Sequence, residues 1–226
     1  MKKRQNAEIL PELIELKDQK VADIGSGDGA IARLMTRHGA KVFGIECNPE
    51  QLRKAREATP AGTEEYFEGV AEKLPFSDAS LDIVVLFNSL HHVDIDQQDK
   101  ALGEAARVLK AGGIAYICEP VAEGTHFEMM QPVHDETVVR AHALEAIKAA
   151  PRQGFSEQQE ITYVNIVTYA DFEQFRERIL RINPHKADDF TNMAADLKKS
   201  FERLGVKTDA GWTFDQPMRV NLLKKD

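Results

Sequence analysis

Val21-Ala22-Asp23-Ile24-Gly25-Ser26-Gly27-Asp28-Gly29 is an apolar run cut short by three glycines, and Ile31, Leu34 and Met35 follow it at helical spacing. That order spells strand, tight turn, helix. Outward from it, Lys41–Glu46 forms a second short apolar run. Asn48-Pro49-Glu50-Gln51 then opens a helix with a capping residue, a proline at the first helical position and a glutamine at the third. Glu65-Tyr66-Phe67 predicts a third strand, Leu81–Asn88 a fourth, buried on both faces, and Ile114–Cys118 a fifth. Before the fifth, Asp96 is expected to cap a helix bearing Leu102, Ala105, Ala106 and Leu109 that stops at Gly112-Gly113. Strands alternating with amphipathic helices from Lys20 to Gly113 predict an α/β fold built on a doubly wound, mostly parallel sheet.

After Glu119-Pro120 the alternation breaks, and residues 121–155 read as a helical insertion following the fifth strand, with Pro132 interrupting it and Asp135 capping the longer helix. Ile161–Tyr169 and Trp212–Leu223 bring the sheet to seven strands. The last is expected near an edge, where Pro217 is tolerated. Asp171 with Gln174 offers a capping box, and Phe190, Met193, Ala194, Leu197, Phe201 and Leu204 form the apolar stripe of a core helix. One domain spanning 1–226 is expected.

The 226 residues carry 37 acidic and 29 basic side chains, a net charge of −8. Such a chain lacks the basic footprint that phosphate backbones require, so nucleic acid is not the expected partner. Nor is a membrane, because no run of about 20 apolar residues occurs. Cys47 and Cys118 stand alone, without ligand spacing, which argues against a disulfide or zinc framework and fits a cytoplasmic protein. No oligomeric state follows from the chain.

Ligands of doubly wound sheets bind outside the carboxyl ends of the strands, where strand order reverses. The glycine turn, Glu46, Asn88 and Glu119 all fall at such ends. The glycines let the backbone turn sharply and approach a ligand, while a carboxylate at the end of the second strand suits the two ribose hydroxyls of a nucleoside. Together they predict an adenosine-containing ligand. Ala30 stands where a dinucleotide fingerprint has its final glycine, so spacing discriminates poorly. Charge discriminates better: Asp23 and Asp28 flank the turn, would repel a pyrophosphate, and would favour a sulfonium and an ammonium. A nicotinamide-dependent (NAD) oxidoreductase is the alternative, disfavoured further by the absence of a Tyr-x3-Lys pair. A non-catalytic adenosyl-ligand binder is another.

These motifs resemble the class I S-adenosylmethionine-dependent methyltransferases. Residues 21–29 look like the family's glycine-rich motif, Glu46 like its ribose-binding acid and Gly69-Val70-Ala71-Glu72-Lys73-Leu74-Pro75-Phe76 like its adenine-side loop. Leu86–Val93 and Val108–Gly113 are similar to its stretches at and after the fourth strand. The resemblance covers about residues 18–120 and implies a Rossmann-like methyltransferase fold and transfer of a methyl group from S-adenosylmethionine to a small or medium organic acceptor. It implies that Asp23, Gly25, Ser26, Gly27 and Gly29 hold the methionine end and Glu46 the ribose. Cys47 would lie against the adenine, Ala71 and Glu72 would flank its edge, and the backbone at Asn88 would face the ammonium. Val70 departs from the family, which often has aspartate there.

A hydroxyl or ammonium acceptor must lose a proton, and histidine suits that near neutral pH. His91, His92, His126 and His134 fall near the expected mouth, with His91, His126 and His134 the candidate bases. The 121–155 insertion is expected to cover the acceptor pocket, with Phe127, Met129, Met130 and Val133 as candidates for its apolar wall or equally for the core. No ligand spacing supports a metal.

Overall fold

The structure is a computed structural model describing residues 1–182 and 187–226. The chain divides into two compact units. One comprises Asn6–Glu119, Val139–Thr162 and Arg219–Asp226; the other comprises Met1–Gln5, Pro120–Val138 and Tyr163–Met218.

Helix α1 (Asn6–Leu13) leads into β1 (Lys20–Ile24), α2 (Ala30–Arg37), β2 (Lys41–Glu46), α3 (Pro49–Glu57), β3 (Glu65–Glu68) and β4 (Leu81–Phe87). After β4 come α4 (Gln98–Val108), β5 (Leu109–Pro120), α5 (Gly124–Met130), α6 (Thr137–Ala149) and β6 (Phe155–Tyr169). The chain ends with α7 (Phe172–Ile182), α8 (Ala187–Leu204), β7 (Val206–Thr208) and β8 (Gly211–Lys225). The sheet runs β3-β2-β1-β4-β5-β8-β6, with short β7 pairing antiparallel to β8 as an eighth strand. Strand order reverses between β1 and β4, as the doubly wound expectation requires.

Three details differ from the sequence expectation. Helix α4 ends at Val108, not at Gly112-Gly113, because Leu109 already pairs with Leu81. The register then shifts, so that Ile83 meets Ile114 and the glycines lie within the irregular start of β5. Asp96 sits inside a short 3-10 turn, and α4 starts at Gln98 without a side-chain cap. Strand β8 lies between β5 and β6, not at an edge. Pro217 costs that strand an amide donor, but its carbonyl accepts from the Val121 amide at 2.9 Å.

The caps at Asn48, Asp135 and Asp171 form as their sequence positions predict. Asn48 accepts from the Glu50 and Gln51 amides, Asp135 from that of Thr137 and Asp171 from that of Gln174. In the larger unit, Ala22, Ile24, Val84, Leu86, Ala115 and Ile117 of the central strands pack with Leu102, Ala105 and Ala106 of α4. The other unit has its own core, in which Tyr169, Phe175, Phe190, Phe201 and Phe214 meet Met129, Met130 and Val133. Those last three, offered as pocket walls, are core residues. Phe127 is buried too.

One guanidinium ties α4 to the chain before β4. Arg107 donates to the carbonyls of Leu74 and Phe76 and to the carboxylates of Glu104 and Asp78, while Glu104 accepts from the Leu74 amide at 2.8 Å. A lysine cannot span that fork. Arg107→Ala is expected to lower the unfolding free energy by about 2–3 kcal/mol in urea denaturation, with Arg107→Lys recovering less than half of the loss.

Candidate active site

Parallel register brings the strand ends level. Ile24 pairs with Ile45 and Leu86, Ile45 with Phe67, and Leu86 with Ile117. The next residues along each strand therefore emerge on one rim: Gly25, Glu46, Glu68, Phe87 and Cys118. From there the chain enters the glycine turn, where Gly25 and Gly27 adopt φ of 72° and 55°, and Gly29 precedes α2. A Cβ on Gly25 would lie 2.5 Å from the Cβ of Ser89, so only glycine fits there. A Cβ on Gly27 would meet nothing within 4 Å, which leaves the backbone open to a ligand.

Glu46 braces this turn. It accepts from the Gly27 amide at 2.8 Å with one oxygen and from the Asn48 amide at 2.7 Å with the other, and it is 7% exposed. Each oxygen keeps a further lone pair. Asp23, at the end of β1, is 1% exposed, and its Oδ2 has no hydrogen-bond partner. Burial pushes its carboxyl up from 3.8 to about 7; the Ala32 amide opposes the shift and the Glu46 charge adds to it. The buried hydroxyls of Ser26 and Ser89 likewise have no partner. Asp28 accepts from the Ala30 amide at 3.1 Å, in the role of a helix cap.

Beyond β4, exposed Asn88 takes φ of 53°, a conformation asparagine tolerates, and its amide donates to the Cys118 carbonyl at 2.8 Å. The following residues Leu90–His92 form one 3-10 turn. Glu119, 2% exposed, accepts from the Leu90 amide at 2.9 Å and from Nδ1 of His91, itself 3% exposed. His92 is exposed, its ring 4.0 Å from that of His91.

On the other flank, Cys47, Glu68, Gly69, Val70, Lys73, Leu74 and Pro75 line an open groove of about 570 Å³. Burial, followed by the charge of Glu46, raises the Cys47 thiol above its usual range, so it stays protonated. Ala71 is buried beside this loop and Glu72 half-buried. Val70 is exposed and supplies an apolar surface.

In the smaller unit, His126 is buried, with Nδ1 2.8 Å from Oε1 of Gln216 and Nε2 2.9 Å from the Tyr169 hydroxyl. Gln216 directs its amide nitrogen at the Val121 and Pro217 carbonyls. Its oxygen therefore accepts from Nδ1, while Nε2 is paired with the Tyr169 hydroxyl. His134 pairs through Nε2 with Glu136 at 2.8 Å.

Two contacts had no place in the sequence expectation: Ser89 against Gly25, and Tyr66 across β2. The Tyr66 hydroxyl donates to the Gly29 carbonyl at 3.4 Å, and its ring would be 2.6 Å from a Cβ on Gly44. A glycine inside the β2 run was the available signal, since it marks a close approach.

Asp23 makes stability depend on pH. Its carboxyl titrates near 7 when folded and near 3.8 when unfolded, so between those values the folded chain holds the extra proton. The ligand-free protein is therefore expected to lose stability as pH rises from about 4 through 7, with the full contribution present below 4. Thermal unfolding of Asp23→Asn across that window should lack this component of the slope.

The methyltransferase-domain family matches residues 22–117. A demethylmenaquinone methyltransferase of Chlorobaculum parvum is 41% identical over 107 residues, 46% of this chain and 42% of that protein. The uncharacterized methyltransferase YcgJ of Bacillus subtilis is 29% identical over 161 residues, covering 70% of this chain and 60% of its own length. The chain thus spans well under two thirds of these curated relatives. The YcgJ structure superposes over 97% of both chains with a TM-score of 0.69 at 19% identity. A SAM-dependent methyltransferase of Methanosarcina mazei gives 0.62 at 18% identity, over 98% of this chain and 99% of that one. Residues 22–117 are thus similar in sequence to the methyltransferase-domain family, and the fold is that of the solved methyltransferase structures.

Proposed function

We propose that this protein transfers a methyl group from S-adenosylmethionine to a small or medium organic acceptor. The observation that carries this is the buried Asp23 carboxyl, whose Oδ2 lacks a partner beside a backbone left open at Gly27. An orphaned acid at a strand end is costly without a cation, and a ligand ammonium relieves that cost. The residues present fit the methyl donor: Asp23 and the backbone of Gly25–Gly27 would hold its methionine end, Glu46 its ribose, and the groove at Cys47, Gly69 and Val70 its adenine, with Ala71 and Glu72 alongside. S-adenosylmethionine supplies an electrophilic methyl carbon on a sulfonium.

The protein's own task is alignment and exclusion of water. The acceptor's lone pair forms the new bond as the carbon–sulfur bond breaks, and an acceptor hydroxyl or ammonium yields its proton to a nearby base or to water. His126 has both ring nitrogens engaged, and Nδ1 of His91 is committed to Glu119. Rate enhancement is therefore assigned chiefly to positioning. Acceptor choice is assigned to residues outside 22–117, where the family match ends. Net charge of −8 supports a small acceptor over nucleic acid. No helix among the described residues is long and apolar enough to cross a membrane, and both cysteines are unpaired, as a reducing compartment favours.

Calorimetry is expected to show binding of S-adenosylmethionine and S-adenosylhomocysteine and none of NAD; the reverse pattern would sink the proposal. Glu46→Gln should weaken S-adenosylhomocysteine binding by about 1–3 kcal/mol, the scale of hydrogen bonds to a charged group. A labelled-methyl transfer screen over metabolite pools should reveal the acceptor. Persistent lack of turnover despite tight binding would instead identify a non-catalytic adenosyl-ligand binder.

A further inference from the structure

Between β4 and α4 the chain has few interactions of its own: Leu90–His92 make one 3-10 turn, and exposed Asn88 turns through a left-handed conformation. Yet its Ser89 Cβ occupies the place a side chain on Gly25 would take, so this loop is one wall of the glycine turn. What holds it is a carboxylate from another strand. Glu119, 28 residues beyond His91 and near the end of β5, accepts from the Leu90 amide with Oε1 and from His91 Nδ1 with Oε2. The Asn88 amide adds a bond to the Cys118 carbonyl, so two consecutive β5 residues hold three of the four loop residues 88–91, all but Ser89.

We propose that Glu119 and His91 form a positioning pair that sets the β4–α4 loop against the glycine turn, with His91 acting through that loop and not as a base. Both side chains are almost wholly buried. A buried carboxyl group needs its hydrogen-bond partners, and removing one leaves an unsatisfied oxygen that the loop must move to hydrate. Nδ1 of His91 supplies one of those partners, and the Leu90 amide is the strut transmitting the position of Glu119 to Ser89. The proposal rests on the methyl-donor reading of the site, since that gives the Ser89 wall its purpose.

Two substitutions separate this role from the others. Asparagine places an amide nitrogen close to where Nδ1 stands; glutamine reaches past it. With His91→Asn, S-adenosylhomocysteine affinity is expected within about threefold of wild type, whereas His91→Gln and His91→Phe should lose about tenfold or more. In the ligand-free protein, exchange of the Leu90 amide should be slow in wild type and His91→Asn and about tenfold faster in the other two. His91→Gln keeps the comparison available should the phenylalanine variant not fold. Equal impairment of His91→Asn and His91→Gln would overturn the proposal, as would wild-type affinity and wild-type Leu90 exchange in His91→Gln. A wild-type protein that binds neither S-adenosyl compound would overturn the methyl-donor reading instead. The Leu90 exchange then decides by itself whether the pair holds the loop.

Discussion

One carboxylate holds two amides at the junction on which the site depends: Glu46 joins Gly27 of the turn after β1 to Asn48 at the head of α3. Parallel register delivers Glu46 to the rim beside Gly25, and the two hydrogen bonds convert that proximity into a fixed turn. This bracing also decides which ligands suit the site. Where a glycine turn receives a pyrophosphate, its amides and the following helix N-terminus point at the anion. Here the Gly27 amide is already committed to Glu46, and that of Ala30 to Asp28. Two amides that could meet an anion are thus taken by carboxylates of the chain itself.

Asp23 gains its meaning from the same arrangement. Burial at the end of β1 raises its carboxyl, and the charge of Glu46 raises it further. A ligand ammonium beside Asp23 would favour its ionised form. The fold has no structural need for a buried acid at this strand end; hydrophobic residues would stabilise the position better. The cost is local and is tolerated because the core of Ala22, Ile24, Val84, Leu86, Ala115 and Ile117 lies directly beneath.

Much of this was legible in the chain itself. The first four strands, the caps at Asn48, Asp135 and Asp171, and the acids at strand ends follow from short-range pattern, because period and capping chemistry act within a few residues. What escaped required distant partners. Leu109 leaves its helix because Leu81 is waiting for it, and β8 is interior because strands far from it in sequence pair on both sides. Met129, Met130 and Val133 have the same apolar spacing whether they line a pocket or pack beneath aromatic rings. Only the presence of Phe175, Phe190 and Phe214 settles it. Glu119 and His91 were each visible as candidates, but their bond joins positions 28 apart and no local rule connects them.

The family match ends within one compact unit. Residues 22–117 fall wholly within the unit that carries the glycine turn, Glu46 and the groove at Cys47, Gly69 and Val70, and that unit's last residue before the break is Glu119, which accepts from the Leu90 amide of the β4–α4 loop. The other unit has edge-on and tilted contacts among Tyr169, Phe172, Phe175, Phe201 and Phe214, with His126 partnered on both nitrogens inside it. Function on a shared fold diverges through the sites grafted on it, and in this chain the residues beyond 117 are the ones that the family match leaves free to differ.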